Sequence, residues 1–329
     1  MSSTGNLNVN AAVNSSGGSS NLSLSAGGTL LIAAAGDITS GGALSLTGTS
    51  DIQNAGDLTS TNAALTLNNP VSFTGNSTLA AGSGTITLGA ATLTDNVTLT
   101  LGTGGSGAVS LTSIAGTAGS TASNVTINVT GAVSVSGTVG TDIGTLTVTD
   151  SGGTTFSGAV GGSTDRIASL VLAATTGTIA FSSDLYATAI TNSGGSFALN
   201  LHGDTTSVTN AVTFGTSGAL ALGNGSDTLT FTGGLVHTAG TTTLAGNITT
   251  SNTDIQLAGL TLASNSEVDT TGSSAGNILF TSSIATAGFA LTLDAGPSGN
   301  ISLAGNLTGG GALTVRDGAI QSFAGLNLA

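Results

Sequence analysis

A four-residue phrase, Ala followed by apolar, any residue, apolar, recurs through this chain and constrains its fold more than any other feature. It stands at Ala43-Leu44-Ser45-Leu46, Ala64-Leu65-Thr66-Leu67, Ala108-Val109-Ser110-Leu111, Ala198-Leu199-Asn200-Leu201, Ala219-Leu220-Ala221-Leu222, Ala290-Leu291-Thr292-Leu293 and Ala312-Leu313-Thr314-Val315. Successive copies lie 21, 44, 90, 21, 71 and 22 residues apart, close to whole multiples of about 22, the mark of a repeat architecture. A longer phrase fixes the register: Ala35-Gly36-Asp37-Ile38 through Ala43-Leu44 aligns without gaps to Ala304-Gly305-Asn306-Leu307 through Ala312-Leu313. A third copy, from Ala55-Gly56-Asp57-Leu58 to Ala64-Leu65, is one residue longer, as turns that absorb insertions allow.

Within each phrase the alternation has period two, so Leu44 and Leu46 face one side of a strand and Ser45 and Thr47 the other. The apolar pairs are bounded by Gly, Asn, Asp and Ser, which bend the chain at once. Strands this short bury so narrow an apolar face only by stacking coil on coil, each coil pairing with those above and below. The crossover rule favours a right-handed coil. The expected fold is therefore all-β, a right-handed parallel β-helix (β-solenoid) of about 15 coils of roughly 22 residues, continuous over residues 1–329 and less regular around 141–200. At about 4.8 Å per coil it makes a rod on the order of 70 Å long. Ala at the start of the phrase is read as filling a corner where a larger side chain collides. A membrane β-barrel needs strands of about ten residues and aromatic girdles; the chain has no Trp and one Tyr, Tyr186.

Charge narrows the partners. Fifteen acidic residues stand against two arginines, Arg166 and Arg316, for a net charge of -13. Two isolated arginines supply no cluster for phosphates, so neither nucleic acid nor an anionic membrane surface is expected as a partner. There is no Cys, which removes disulfides, thiolate metal sites and cysteine nucleophiles. No basic-then-apolar signal opens the chain at Met1-Ser2-Ser3-Thr4 and no apolar run reaches membrane-span length. The chain reads as an excerpt or mature segment with no membrane insertion of its own.

The openings Gly36-Asp37-Ile38, Gly246-Asn247-Ile248, Gly276-Asn277-Ile278 and Gly299-Asn300-Ile301, each followed by apolar pairs, resemble the β-helical repeats of filamentous haemagglutinin-like exoproteins. Autotransporter passengers are similar. The resemblance covers nearly the whole chain and implies a bacterial secreted or cell-surface protein that extends outward and mediates adhesion or aggregation. It implies no catalytic residues and no cofactor, and its partners would be a host or neighbouring-cell surface or other copies of the chain. The Asn-Pro-Asn phrases typical of the family's secretion domain are missing; Asn69-Pro70-Val71 is nearest.

Other chemical signals are weaker. Gly272-Ser273-Ser274-Ala275-Gly276 matches a nucleophile elbow and Gly102-Thr103-Gly104-Gly105-Ser106-Gly107 a dinucleotide phrase, but neither precedes a helix, and the second reads as a loop. His202 and His237 lack zinc-ligand spacing and are read as surface residues. Asp37 and Asp57, at matching places in successive units, are the candidate calcium ligands, though a solvated turn is the simpler reading and the nonapeptide calcium signature is missing. A polysaccharide-cleaving site needs basic residues or paired carboxylates with aromatic platforms, which this composition does not favour. Ice binding needs Thr-x-Thr rows. Thr85-Ile86-Thr87, Thr92-Leu93-Thr94, Thr98-Leu99-Thr100 and Thr147-Val148-Thr149 supply pieces that do not repeat at one coil position in the sequence. The alternative to adhesion is a self-assembling extracellular filament joined end to end, since Leu7-Asn8-Val9 and Leu326-Asn327-Leu328 read as further strand without caps.

Overall fold

A computed structural model describes residues 1–15, 17–119, 121–173, 175–270 and 276–327, with side chains up to residue 322. The chain is an all-β parallel β-solenoid of about 14 turns roughly 22 residues apart, close to the fifteen expected, and every element among the described residues is a strand or a turn. It divides into two compact units, one of residues 1–167 and 175–177 and one of residues 168–174 and 178–329.

In unit 1 each coil contributes three walls. The first wall stacks Leu22, Leu44, Leu65, Ile86, Val109, Val133 and Thr154 in one parallel column. Two residues further along, Leu24, Leu46, Leu67, Leu88, Leu111, Val135 and Phe156 form a second column on the same inward face. The second wall stacks Leu30, Ile52, Val71, Ala91 and Ile114. The third stacks Val13, Ile38, Leu58, Leu79, Leu101, Ile127 and Val148. Period-two alternation is the cause: Leu44 and Leu46 are 1% and 0% exposed, while Ser45 and Thr47 between and beyond them are half-exposed. Each such leucine contributes about 1.5–3 kcal/mol by leaving water, and stacking repeats that gain at every rung.

Unit 2 follows the same plan. One wall stacks Ile179, Leu199, Leu220, Thr242, Leu260, Ile284 and Leu307. Another stacks Leu185, Thr206, Leu229, Ile248, Val268, Leu293 and Val315. A third runs Val212, Leu235, Ile255, Ile278 and Ile301. Phe181, Phe197, Phe214, Phe231 and Phe280 are fully buried in this unit.

One expectation about the corners is overturned. The alanines that open the phrase do not fill crowded corners: Ala64, Ala219 and Ala312 are exposed and Ala43, Ala108, Ala198 and Ala290 half-exposed. Their side chains point outward, while their carbonyls accept amides one coil back, as in Leu44 N–H to Ala64 and Ile86 N–H to Ala108. Where a glycine stands one residue earlier, as Gly107 does before Ala108 and Gly84 before Thr85 at the equivalent place, the crowding falls on it. A Cβ at Gly84 would lie 2.0 Å from the Ala63 carbonyl oxygen, and one at Gly107 only 1.7 Å from that of Gly84.

Candidate interaction face

The residue between the two inward leucines of the repeat phrase points outward in every coil, so the ladder that aligns the core also aligns a surface column. In unit 1 this column is Ser23, Ser45, Thr66, Thr87, Ser110, Ser134 and Thr155, in unbroken parallel register. The paired strands that carry these hydroxyls lie about 4.8 Å apart. Ser45 and Thr66 are half-exposed and the other five exposed. Asn68 Nδ2 donates to Ser45 Oγ at 3.0 Å and to Thr47 Oγ1 at 3.1 Å. The remaining six hydroxyls make no hydrogen bond to the described residues and face solvent. Asn21, Ala43, Ala64, Thr85, Ala108 and Ala132 flank the column on one side without a charge.

A second column corrects the reading of the threonines. Thr78, Thr100, Thr126 and Thr147 stack in register on the third wall, so members of two Thr-x-Thr segments do share one coil position. Beside them Thr98, Asn124 and Thr145 form a parallel column. The steps from Thr78 to Thr100, Thr126 and Thr147 are 22, 26 and 21 residues, because turns such as the one from Gly116 to Asn124 take up extra residues, and this conceals the repeat from sequence spacing.

Asp37 and Asp57 do stack in successive coils, next to the paired Ile38 and Leu58. Each is already engaged. Asp37 Oδ1 accepts the Asp57 amide at 2.9 Å, and Asp57 Oδ1 accepts the Thr78 amide at 2.7 Å. The same device recurs in unit 2, where Asp254 accepts the Asn277 amide at 2.8 Å and Asn277 the Asn300 amide at 3.0 Å. This is the physical content of the Gly-Asn/Asp-Ile openings: the polar residue needs one side-chain oxygen to hold the equivalent amide of the next coil, which Asn and Asp supply equally. The geometry accounts for both aspartates without an ion. Calcium asks for six to eight oxygens, and among the described residues no three acidic or histidine side chains gather to hold a metal. Asp57→Asn is expected to leave stability within about 0.5 kcal/mol and Asp57→Ala to lose about 1 kcal/mol; urea denaturation of the three proteins checks this, and equal losses would refute the acceptor role.

The remaining candidates separate. Residues 272–275 of the nucleophile-elbow match lie outside the described residues. Gly102 to Gly105 is not a loop but the end of the strand Thr98–Gly105, with Gly102 and Gly104 at positive φ, and the next element is the strand Val109–Gly116 rather than a helix. His202 is half-buried. His237 is the clearest correction, being 0% exposed in the core of unit 2 rather than on the surface.

One cluster was overlooked in the sequence. Asp269, Asp294 and Asp317 occupy one rung position on successive coils. Arg316 beside them pairs with Glu267 and, at 3.4 Å, with Asp294, whose other oxygen accepts the Gly296 amide at 3.1 Å. Aligning the Asp that follows each apolar pair, Val268-Asp269 and Leu293-Asp294, would have found it. Comparison of the chain with family models, with curated proteins and with solved structures finds no match.

Proposed function

We propose that this chain is a structural and adhesive segment of a secreted or cell-surface protein, and that the seven-coil hydroxyl face of unit 1 makes its contacts. The observation that carries this reading is the unbroken column from Ser23 to Thr155. A chain with a net charge of -13 repels like-charged surfaces, whereas this column and its flank present uncharged hydroxyls, methyls and an amide to a neutral, hydrogen-bonding partner. The partner would be a host or neighbouring-cell surface, or another copy of the chain.

Beads coated with the protein and applied to cell layers test this. The double variant Thr66→Lys/Ser110→Lys is expected to lower adhesion by about tenfold or more, while Ser72→Lys, outward on the second wall, leaves it unchanged. Equal adhesion by all three would overturn the assignment. Light scattering of the same samples identifies self-association as the source if the beads clump in the absence of cells.

Ice binding is the second reading, favoured by the register: hydroxyls and threonine methyls repeat at strand spacing over seven coils and again over the four of Thr78 to Thr147. Thermal hysteresis lost in Thr66→Lys/Ser110→Lys would support it over adhesion, and no hysteresis in the unaltered protein would discard it.

A further inference from the structure

We infer that His237 makes unit 2 acid-labile: when its enclosed ring takes up a proton, the coils around it open, so that this part of the solenoid loosens as its surroundings acidify. The ring occupies a rung of an otherwise apolar column. Val212 and Thr213 pair with Leu235 and Val236, which sets Phe214 level with His237; His237 pairs with Leu257, Leu257 with Phe280 and Phe280 with Leu303. All five are buried.

Two hydrogen bonds hold the ring, and they fix its state. Nε2 lies 3.2 Å from the Thr216 carbonyl oxygen, which only accepts, so Nε2 carries the proton. Nδ1 is then the acceptor for the Thr242 hydroxyl at 2.8 Å. Thr216 and Thr242 are themselves 0% and 1% exposed. The neutral imidazole is fully satisfied by this arrangement. A second proton would place a positive charge in an apolar core and demand an acceptor at Nδ1, which the Thr242 hydroxyl meets only by turning over.

Among the described residues no counter-charge meets the ring. The strands Val212–Thr213 and Ile255–Leu262 carry no titratable group. The strand Leu220–Phe231 carries Asp227, whose Oδ2 accepts the Asn224 amide at 2.8 Å. Glu267 and Asp269, on the strand Ser266–Asp269, stack on Asn247 and Thr249 at the far end of the histidine's own strand. Burial accordingly pushes the His237 pKa below the ordinary 6.5, with the Thr216 carbonyl partly opposing it. The consequence for stability follows by linkage: between 6.5 and the lower folded value the unfolded chain binds more protons than the folded one. The stabilisation is therefore complete above 6.5 and is lost as pH falls towards the folded value.

Amide hydrogen exchange at about pH 7.5 and pH 5.5, corrected for intrinsic rates, reads the effect at Leu235–His237 and Ile255–Leu257. Protection there is expected to fall at the lower pH in the unaltered chain, by up to about tenfold, the most that one histidine can contribute over this range, and to stay level in His237→Gln. Protection unchanged by pH, or an equal fall in His237→Gln, would overturn the inference. Should His237→Gln fail to fold, His202→Gln leaves His237 as the sole histidine, since the chain has two. Its ring resonance is then expected to titrate below 6.5, and titration at or above that value overturns the inference equally.

Discussion

Gly107→Ala is expected to destabilise unit 1 by about 3 kcal/mol or more, while Ala108→Thr, one residue along, shifts stability by less than about 0.5 kcal/mol. The Cβ added at Gly107 would lie 1.7 Å from the Gly84 carbonyl oxygen and 2.7 Å from its carbon. Both are backbone atoms, and no rotamer change relieves them. Gly107 is not among the glycines at positive φ, so the cost is collision alone and not a lost backbone conformation. Relief requires the two coils to part, and parting stretches the ladder that pairs Ile86, Thr87 and Leu88 with Val109, Ser110 and Leu111. Ala108 differs: its side chain is half-exposed, its carbonyl accepts the Ile86 amide at 2.9 Å, and Thr85 holds the equivalent place one coil earlier. Chemical denaturation followed by circular dichroism separates the two variants. Equal losses would return the steric constraint to alanine.

That contrast shows where the sequence is readable. The period and the inward columns are legible because every coil must present the same two apolar residues to the coils on either side, so Leu44, Leu65 and Ile86 announce one another. Which of two adjacent small residues carries a close approach is not legible, since Gly107 and Ala108 travel together and only the stacking register tells them apart. The threonine column was hidden for a related reason: Thr78, Thr100, Thr126 and Thr147 pair directly, but turns of unequal length separate them and no fixed offset finds them. His237 is a different case. The alternation Leu235-Val236-His237 already sets the histidine on the inward face of Leu235, and the expectation of a surface residue followed its chemistry instead of its parity. His202 follows Leu201 and has outward parity, which its half-buried position bears out.

The buried aromatic pair of unit 2 carries the second large effect and bears on the histidine as well. Phe214 and Phe231 meet edge to face with ring centroids 6.2 Å apart and planes at 87°, and they are 1% and 0% exposed. Truncating either to alanine removes its transfer free energy and leaves a void that the walls, held by continuous ladders on both sides, cannot close. Each single variant is expected to lose about 3–5 kcal/mol, and the double variant to fall short of the sum by about 0.5–1.5 kcal/mol, the edge-to-face term shared between them. Strict additivity in urea denaturation would remove the ring contact from the account. The two variants differ in a second readout. Phe214 is level with His237 on the adjacent coil, so its loss opens the imidazole to water and relaxes the desolvation that lowers its pKa. Phe231 pairs with Val208 on another wall, and its removal leaves that side of the ring covered. Phe214→Ala is therefore expected to move the His237 titration back towards 6.5 and to flatten the acid loss of protection, while Phe231→Ala weakens the unit without altering its pH response. The same shift in both variants would mean that global loosening, rather than access of water to one ring, governs the acid sensitivity.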